Sequence, residues 1–134
     1  GESCTSPETI GEGYHLLSLV GHAPSGASTC SSAADPAHYF RYVATASGTL
    51  SVSTCTTTTA AIGGYAVDTA LSVHSACPAD QTTELDCNEL SVLCLEGFRP
   101  QPWLSTTVTQ GQEILIRVSA RAEGQLGPIE LHVQ

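Results

Sequence analysis

Six cysteines are the residues of this 134-residue sequence with the most evident chemistry. No two of them form a CxxC pair, the spacing from which zinc sites usually draw their ligands. An even number of cysteines in a small chain instead favours three disulfides formed in an oxidising compartment. We therefore predict an extracellular or cell-surface protein whose bridged residues are Cys4, Cys30, Cys55, Cys77, Cys87 and Cys94.

Four oxygen-bearing side chains lie near the ends of two predicted strands: Asp68, Asp86, Asn88 and Glu89. A calcium ion takes six to eight oxygen ligands, and carboxylates and amides are typical sources. The pattern predicts a calcium site at these residues, and no other cofactor. The alternative is that Asp68 hydrogen-bonds a neighbouring loop while the other three side chains are solvated.

The histidines do not form a recognisable catalytic motif. No HExxH, GxSxG or Cys–His nucleophile signature occurs in the sequence. Bridged cysteines supply no thiol nucleophile. His74 and His132 fall on the polar faces of their strands, which predicts that both face solvent. We therefore predict that the chain is not an enzyme, and the five histidines are His15, His22, His38, His74 and His132.

An aromatic and basic group follows the proline-rich segment: Phe98, Arg99 and Trp103. An exposed tryptophan beside arginine can anchor a polysaccharide or a protein partner. The alternative, which we favour, is that Trp103 starts a strand and covers the core, because a core poor in aromatic residues gains from its large area.

The charge of the chain excludes two partner classes. The sequence has no lysine, and its four arginines stand against thirteen acids, giving a net charge of -9. Such a chain repels phosphate backbones and anionic membrane surfaces, so we predict no nucleic-acid binding and no membrane insertion. No stretch approaches the length of a transmembrane helix. The sequence does not begin with Met, which predicts a mature secreted chain or a domain of a longer one.

Alternation of apolar and polar residues with period two dominates the chain. It predicts a single domain over 1–134, an all-β, antiparallel, jelly-roll-like β-sandwich of eight or nine strands. A glycine-containing turn after Ala37–Ala44 predicts a hairpin with the following strand. The predicted strands are Tyr14–Val20, Ala37–Ala44, Thr49–Thr54, Val67–Ser75, Thr82–Cys87, Ser91–Leu95, Leu104–Val108, Glu113–Ala120 and Ile129–Val133.

Three segments in order carry a family resemblance: YFRYVATASGTLSVSTC (Tyr39–Cys55), DTALSVHSACPADQTTELDCNE (Asp68–Glu89) and GQEILIRVSARAEGQLGPIELHV (Gly111–Val133). Together they resemble the bacterial pre-peptidase C-terminal-like (PPC-like) domain in its cysteine-rich secreted form. The resemblance implies a jelly-roll-like sandwich without catalytic activity, of a kind that sits beside secreted hydrolases. Some relatives bind matrix and calcium. The family commonly has two aspartates after the Cys-Asn dipeptide, where this chain has Glu89-Leu90.

Locality along the chain, together with this resemblance, suggests a pairing of the cysteines. It is one of fifteen connectivities that six cysteines allow. The suggested bridges are Cys4–Cys30, Cys77–Cys87 and Cys55–Cys94.

Two functions remain open from the sequence. The first is a non-catalytic secreted module with a structural, adhesion or binding role toward a protein or polysaccharide. The second is a self-assembling subunit of an extracellular filament. In that case the polar segment Gly1–Ile10 or an edge strand would join one copy to the next.

Overall fold

The computed structural model describes residues 1–55, 69–89, 95–96, 99–120 and 128–134. All regular elements in these ranges are β-strands. The described residues contain no helix that is long and apolar enough to cross a membrane. The strands are β1 (Glu8–Thr9), β2 (Gly13–Ser18), β3 (Ala37–Val43), β4 (Gly48–Ser53), β5 (Thr69–His74), β6 (Glu84–Asn88), β7 (Leu95–Glu96), β8 (Arg99–Pro100), β9 (Trp103–Val108), β10 (Glu113–Ala120) and β11 (Pro128–Val133).

Two sheets hold nine of the described strands. The five-stranded sheet has the order β1-β3-β10-β5-β6, and the four-stranded sheet has the order β2-β11-β4-β9. Their pairings are antiparallel except that of β1 with β3, which is parallel. A separate two-stranded ladder joins β7 to β8. The predicted antiparallel β-sandwich is confirmed.

The core between the sheets is built from the apolar positions that alternate along each strand. Ile114, Ile116 and Val118 of β10 point into it, as do alternate residues of β11, among them Leu131. Full burial of one such side chain stabilises the fold by roughly 1.5–3 kcal/mol. The buried core residues are Leu19, Phe40, Tyr42, Ala44, Leu50, Val52, Leu71, Val73, Leu104, Val108, Ile114, Ile116, Val118, Ala120, Ile129, Leu131 and Val133.

The predicted hairpin between Ala37–Ala44 and Thr49–Thr54 is wrong. The first run forms β3 in the five-stranded sheet, and the second forms β4 in the four-stranded sheet. The turn between them therefore crosses from one sheet to the other. Phe40 and Leu50 belong to the same core cluster because their strands lie on opposite sides of it. A short connection fixes proximity but does not by itself fix pairing.

The outer face of the five-stranded sheet is covered as well. Residues 1–7, 21–36 and 75–83, here named the covering segments, lie over it, so that every residue of β5 is buried either by them or by the core on the other face. Ala27 N–H donates to the Ala79 carbonyl at 2.9 Å, which ties two of these segments together. A second apolar cluster forms beneath them from Ala37, Tyr39, Ala79 and Leu115.

Disulfides hold the covering segments in place. Cys4 pairs with Cys77, with Cα atoms 5.8 Å apart, and Cys30 pairs with Cys87, with Cα atoms 6.1 Å apart. The suggested bridges Cys4–Cys30 and Cys77–Cys87 are therefore wrong. The physical reason is the register of β5 with β6, which sets Cys87 opposite Ser72 and well away from the turn that carries Cys77.

The third suggested bridge joins Cys55 to Cys94. Cys55 is disulfide-bonded. Cys94 lies outside the described residues. The pairing of Cys55 with Cys94 therefore stays a prediction.

Candidate functional site

Three residues of the predicted calcium site, Asp86, Asn88 and Glu89, lie in β6 or directly after it. Asp86 Oδ1 accepts the N–H of Cys87 at 2.8 Å, and Asn88 Oδ1 accepts the N–H of Trp103 at 3.3 Å. Glu89 is exposed, and Asp68 lies outside the described residues. Within the described ranges, no three His, Cys, Asp or Glu side chains are grouped to hold a metal ion. The amide of Asn88 links the two sheets at this edge, and calcium binding stays a prediction.

His74 does not face solvent, so that prediction is wrong. Its side chain is fully buried beneath the covering segments, where one ring nitrogen is 2.8 Å from Ser72 Oγ and the other is 3.2 Å from Thr83 Oγ1. The alternation along β5 correctly separated the two faces of the strand. It did not reveal that the polar face is covered too.

Burial lowers the pKa of His74 below its ordinary 6.5, and the Arg117 charge acts in the same direction against the opposing effect of Glu84 and Asp80. The unfolded chain therefore binds a proton more readily than the folded chain. Stability is fully present above pH 6.5 and falls as the pH drops from there toward the lower folded pKa. One proton gives a slope of at most about 1.4 kcal/mol per pH unit.

Substitution of this histidine tests the linkage. We expect His74→Gln to flatten the pH dependence of the unfolding free energy below pH 6.5, measured by urea denaturation across a pH series. His132→Gln on the half-buried outer face is the matched control and keeps the slope. An unchanged slope in His74→Gln would contradict the assignment.

Arg117 is the largest of the fully buried side chains, with 1% of its surface exposed. It stands in the middle of β10, on the face turned toward the covering segments. Its Nε donates to the Ser25 carbonyl at 3.0 Å, and its terminal nitrogens donate to the Gly26 carbonyl and the Ser31 and Ser119 hydroxyls. A guanidinium has five N–H donors, so one side chain can organise a whole loop. Arg117 holds residues 25–31 on the sheet.

Gly26 is required where this loop approaches the sheet. Its φ is +67°, in the left-handed region that favours glycine. An added Cβ would collide with the Tyr39 hydroxyl and come within 2.9 Å of the Ala79 carbonyl oxygen. The loop can lie this close only because the position has no side chain.

A histidine–glutamate cluster fixes the first covering segment. His38 Nε2 is 3.0 Å from Glu8 Oε2, and His38 Nδ1 is 3.0 Å from His22 Nε2. The backbone of Gly1 also bonds that of Tyr39 in both directions, at 2.7 Å each. Residues 1–10 therefore pack on their own sheet and continue as its edge strand β1. The expectation that Gly1–Ile10 extends toward a neighbour is wrong, because this segment is tied to its own chain.

Trp103 is half-buried and begins β9, as the favoured alternative expects. That alternative is wrong in its second part, because Trp103 alternates with the core residue Leu104 and lies on the outer face of the sheet, so it does not cover the core. The arrangement around it was not predicted. Strand register sets Tyr14, His132, Ser53 and Trp103 opposite one another in a row across the four-stranded sheet. The Tyr14 and His132 rings stack with centroids 4.1 Å apart and planes 7° apart. Neighbouring strands are about 4.8 Å apart, so the row spans roughly 14 Å. Phe98 and the Arg99 side chain lie outside the described part of the chain.

The exposed apolar residues gather on β2. Among the described residues, the exposed large apolar side chains are Tyr14, Leu16, Val20 and Leu85, with 59%, 76%, 64% and 43% of their surface accessible. The first two stand on the outer face of β2, and Val20 follows that strand. Leu16 lies beside Glu130 of β11. This surface, comprising Tyr14, Leu16 and Val20, is here named the β2 patch.

Among the described residues, no strand pairs with β2 on the side away from β11. Gln134 and Ser51 exchange both of their backbone hydrogen bonds, at 2.7 and 3.0 Å. Backbone groups alternate in direction along an antiparallel strand, so β11 directs its odd-numbered residues toward β2. The β2 residues paired with those face β11 in turn. The N–H and C=O groups of Tyr14, Leu16 and Ser18 therefore point outward, and no described strand lies beyond them.

Comparison with known proteins supports the architecture. The chain is similar to the pre-peptidase C-terminal domain of a collagenase from Bacillus anthracis, with a TM-score of 0.60 and 11% identity over 96% of this chain and 95% of that chain. The two share one fold. At this identity the likeness establishes the fold alone, and it agrees with the sandwich that the sequence resemblance implies.

A second solved structure shows a weaker similarity. PliG from Aeromonas hydrophila, a periplasmic inhibitor of g-type lysozyme, gives a TM-score of 0.45 and 13% identity over 96% of this chain and 98% of that chain. No protein-family model and no curated protein sequence matches the chain.

Sequence reasoning missed the β2 patch, although a signal for it was present. Tyr14–Val20 was predicted as a strand, and it contains the adjacent leucines Leu16 and Leu17. Successive residues of a strand face opposite sides, so one of two adjacent leucines must face outward unless both faces are covered. The structure buries Leu17 in part and exposes Leu16.

Proposed function

We propose that this chain is a non-catalytic secreted binding module that engages a protein partner through the outer face of its four-stranded sheet. The contact is centred on the β2 patch and includes the His132 ring that stacks on Tyr14, whereas Trp103 stands beyond the buried Ser53 at the far end of the row. The single observation that carries the proposal is the clustering of exposed apolar side chains. Three of the four in the described residues lie on or beside β2.

The exposed apolar area on β2 favours an interaction site. Isolated surface leucines are ordinary, whereas contiguous apolar patches rimmed by polar residues mark interaction sites. Tyr14 and Leu16 stand two residues apart on one face of β2, and Thr49, Ser105 and Thr107 surround the far end of the same face. Tyrosine and tryptophan supply large contact area at protein interfaces.

Secretion and the lack of catalysis rest on separate features. One disulfide joins two covering segments, a second joins a covering segment to β6, and such bridges persist in oxidising compartments. The histidines that might act in catalysis have structural partners, since His74 bonds Ser72 and His15 bonds the Gly11 carbonyl. These arrangements favour a scaffold over a reaction centre.

Selection from a phage-displayed library of random linear peptides tests the proposal. We expect peptides selected on the wild-type protein to bind the Tyr14→Ser/Leu16→Ser double variant at least about tenfold more weakly, a loss of about 1.4 kcal/mol. Leu85→Ser on the edge of the other sheet is the matched control and retains binding. Selected peptides that bind all three proteins equally, or a failure to enrich any peptide, would contradict the proposed surface.

A self-assembling filament subunit is the second candidate. The observation that favours it is the lack of charged and proline residues in β2, the devices that usually keep strand edges from pairing with each other. In this case β2 of one copy would pair with a strand of the next. Sedimentation velocity of the purified protein separates the two candidates, because only the filament subunit gives large species that disappear in Leu16→Asp.

A further inference from the structure

We infer that β2 accepts an added strand, donated by an extended segment of a partner protein that carries apolar residues at every second position and a net positive charge. This inference rests on the proposed function and specifies how the partner is held. The juxtaposition that carries it is an open row of backbone groups directly beside exposed apolar side chains on the same residues.

The backbone of β2 has hydrogen-bonding groups that point away from its own sheet. Tyr14, Leu16 and Ser18 direct their N–H and C=O groups away from the sheet, as the exchange between Gln134 and Ser51 fixes. These groups have the spacing of a ladder, which is what an incoming strand needs for β-augmentation. Main-chain hydrogen bonds then supply affinity that does not depend on the partner's sequence.

The side chains on the same residues favour an apolar partner strand. Tyr14 and Leu16 stand on the outer face, and an added strand places every second side chain on that same face. Apolar residues at those positions would cover the β2 patch. Cross-strand apolar and aromatic pairs each contribute roughly 0.2–1 kcal/mol. An alternating pattern therefore fits the edge better than a uniformly polar segment.

Charge decides between a foreign partner and a second copy. The chain carries a net charge of -9, and Glu130 lies beside Leu16, while Glu12 directly precedes β2 and accepts hydrogen bonds from the Tyr42 and Thr45 hydroxyls. Among the described arginine side chains, Arg117 is buried and Arg41 is paired with Glu113 on the other sheet. A second copy therefore brings more negative charge and no available cation from this part of the chain. A basic segment is attracted instead, most strongly at low ionic strength.

A short synthetic peptide that alternates valine and arginine is the probe, acetylated and amidated at its ends. We expect it to bind the full chain at low salt, and to bind Leu16→Pro at least about tenfold more weakly. Proline removes an N–H that points outward and that β2 does not use in its own sheet, so the variant is expected to fold. The same peptide with glutamate in place of arginine, and a version N-methylated on alternate residues, are expected to bind at least about tenfold more weakly.

Amide hydrogen exchange followed by NMR identifies strand addition directly in the wild-type protein. Saturating peptide should slow exchange at Tyr14, Leu16 and Ser18 by about tenfold or more, and leave Gly13 and His15 unchanged because these already bond β11. Binding that depends on Leu16 without this protection would overturn strand addition and leave the proposed binding surface standing. No binding of the peptide, or a wild-type dimer that Leu16→Pro makes monomeric, would overturn the basic partner.

Discussion

Replacing Cys30 and Cys87 together with alanine is expected to lower the free energy of unfolding by about 4 kcal/mol. The bridge closes a loop with a sequence separation of 57 residues, and the chain entropy of the unfolded state rises when that loop opens. The folded chain also loses the tie between β6 and the segment held by Arg117. Small domains are stable by about 5–15 kcal/mol, so this is a large fraction of the total. Guanidinium unfolding followed by circular dichroism measures it.

The second bridge provides the matched comparison. The Cys4→Ala/Cys77→Ala variant opens a loop with a separation of 73 residues and should lose a similar amount, about 4 kcal/mol. Peptide mapping without reduction should join a fragment containing Cys30 to one containing Cys87. A fragment joining Cys77 to Cys87, or an unchanged unfolding midpoint in both variants, would contradict the observed connectivity.

Arg117→Ala is expected to lower the free energy of unfolding by about 3–5 kcal/mol. The substitution removes a buried guanidinium and leaves the Ser25 and Gly26 carbonyls, which are only partly buried, without their donor. The vacated volume, and the loss of the contacts that hold residues 25–31 on the sheet, account for most of the destabilisation. Arg117→Met should be less destabilising than Arg117→Ala because methionine fills much of the space and carries no charge.

Arg41→Ala is the control for Arg117→Ala. Arg41 pairs with Glu113 on an exposed part of the sheet, where ion pairs contribute little. Its loss should leave the unfolding midpoint near that of the wild type. If Arg117→Ala unfolds at the same denaturant concentration as Arg41→Ala, residues 25–31 are held by something other than the guanidinium. Proteolysis of folded Arg117→Ala should also be faster at this loop.

The core was predictable from the sequence because successive side chains of a strand point to opposite faces, so the spacing of apolar residues identifies the buried face. Ile114, Ile116 and Val118 occupy alternate positions of their strand and face inward, as predicted. The strand that carries Leu71 and Val73 was found in the same way. Such alternation is local, so it survives any arrangement of the strands around it.

The outer layer was not predictable, because it depends on contacts between residues far apart in the chain. Arg117 and Ser25 are separated by 92 positions, and nothing local to either residue indicates the other. The same distance explains why Cys4 pairs with Cys77 and not with a nearer cysteine. Once residues 21–36 cover the sheet, His74 and Arg117 become buried on a face that the alternation of β5 indicates to be polar.

The candidate binding edge depends on both kinds of information. The residues Tyr14–Val20 indicate a strand, and their two adjacent leucines indicate that its outward face is partly apolar. β2 lies at the edge of its sheet because β11 is its one described neighbour. The direction of its backbone groups follows from that pairing and from the hydrogen bonds between Gln134 and Ser51. Sequence pattern gives the side chains of a strand, whereas topology decides which strand has a free side.

The two disulfides interlock along the chain, since Cys30 lies between Cys4 and Cys77, and Cys77 lies between Cys30 and Cys87. A protease that cuts any single bond between Cys4 and Cys87 therefore leaves two fragments that are still joined by at least one bridge. A nicked molecule keeps its mass until it is reduced, and its fragments can remain in place on the sandwich. For the secreted module that we propose, a single cut in this part of the backbone therefore does not release the damaged piece.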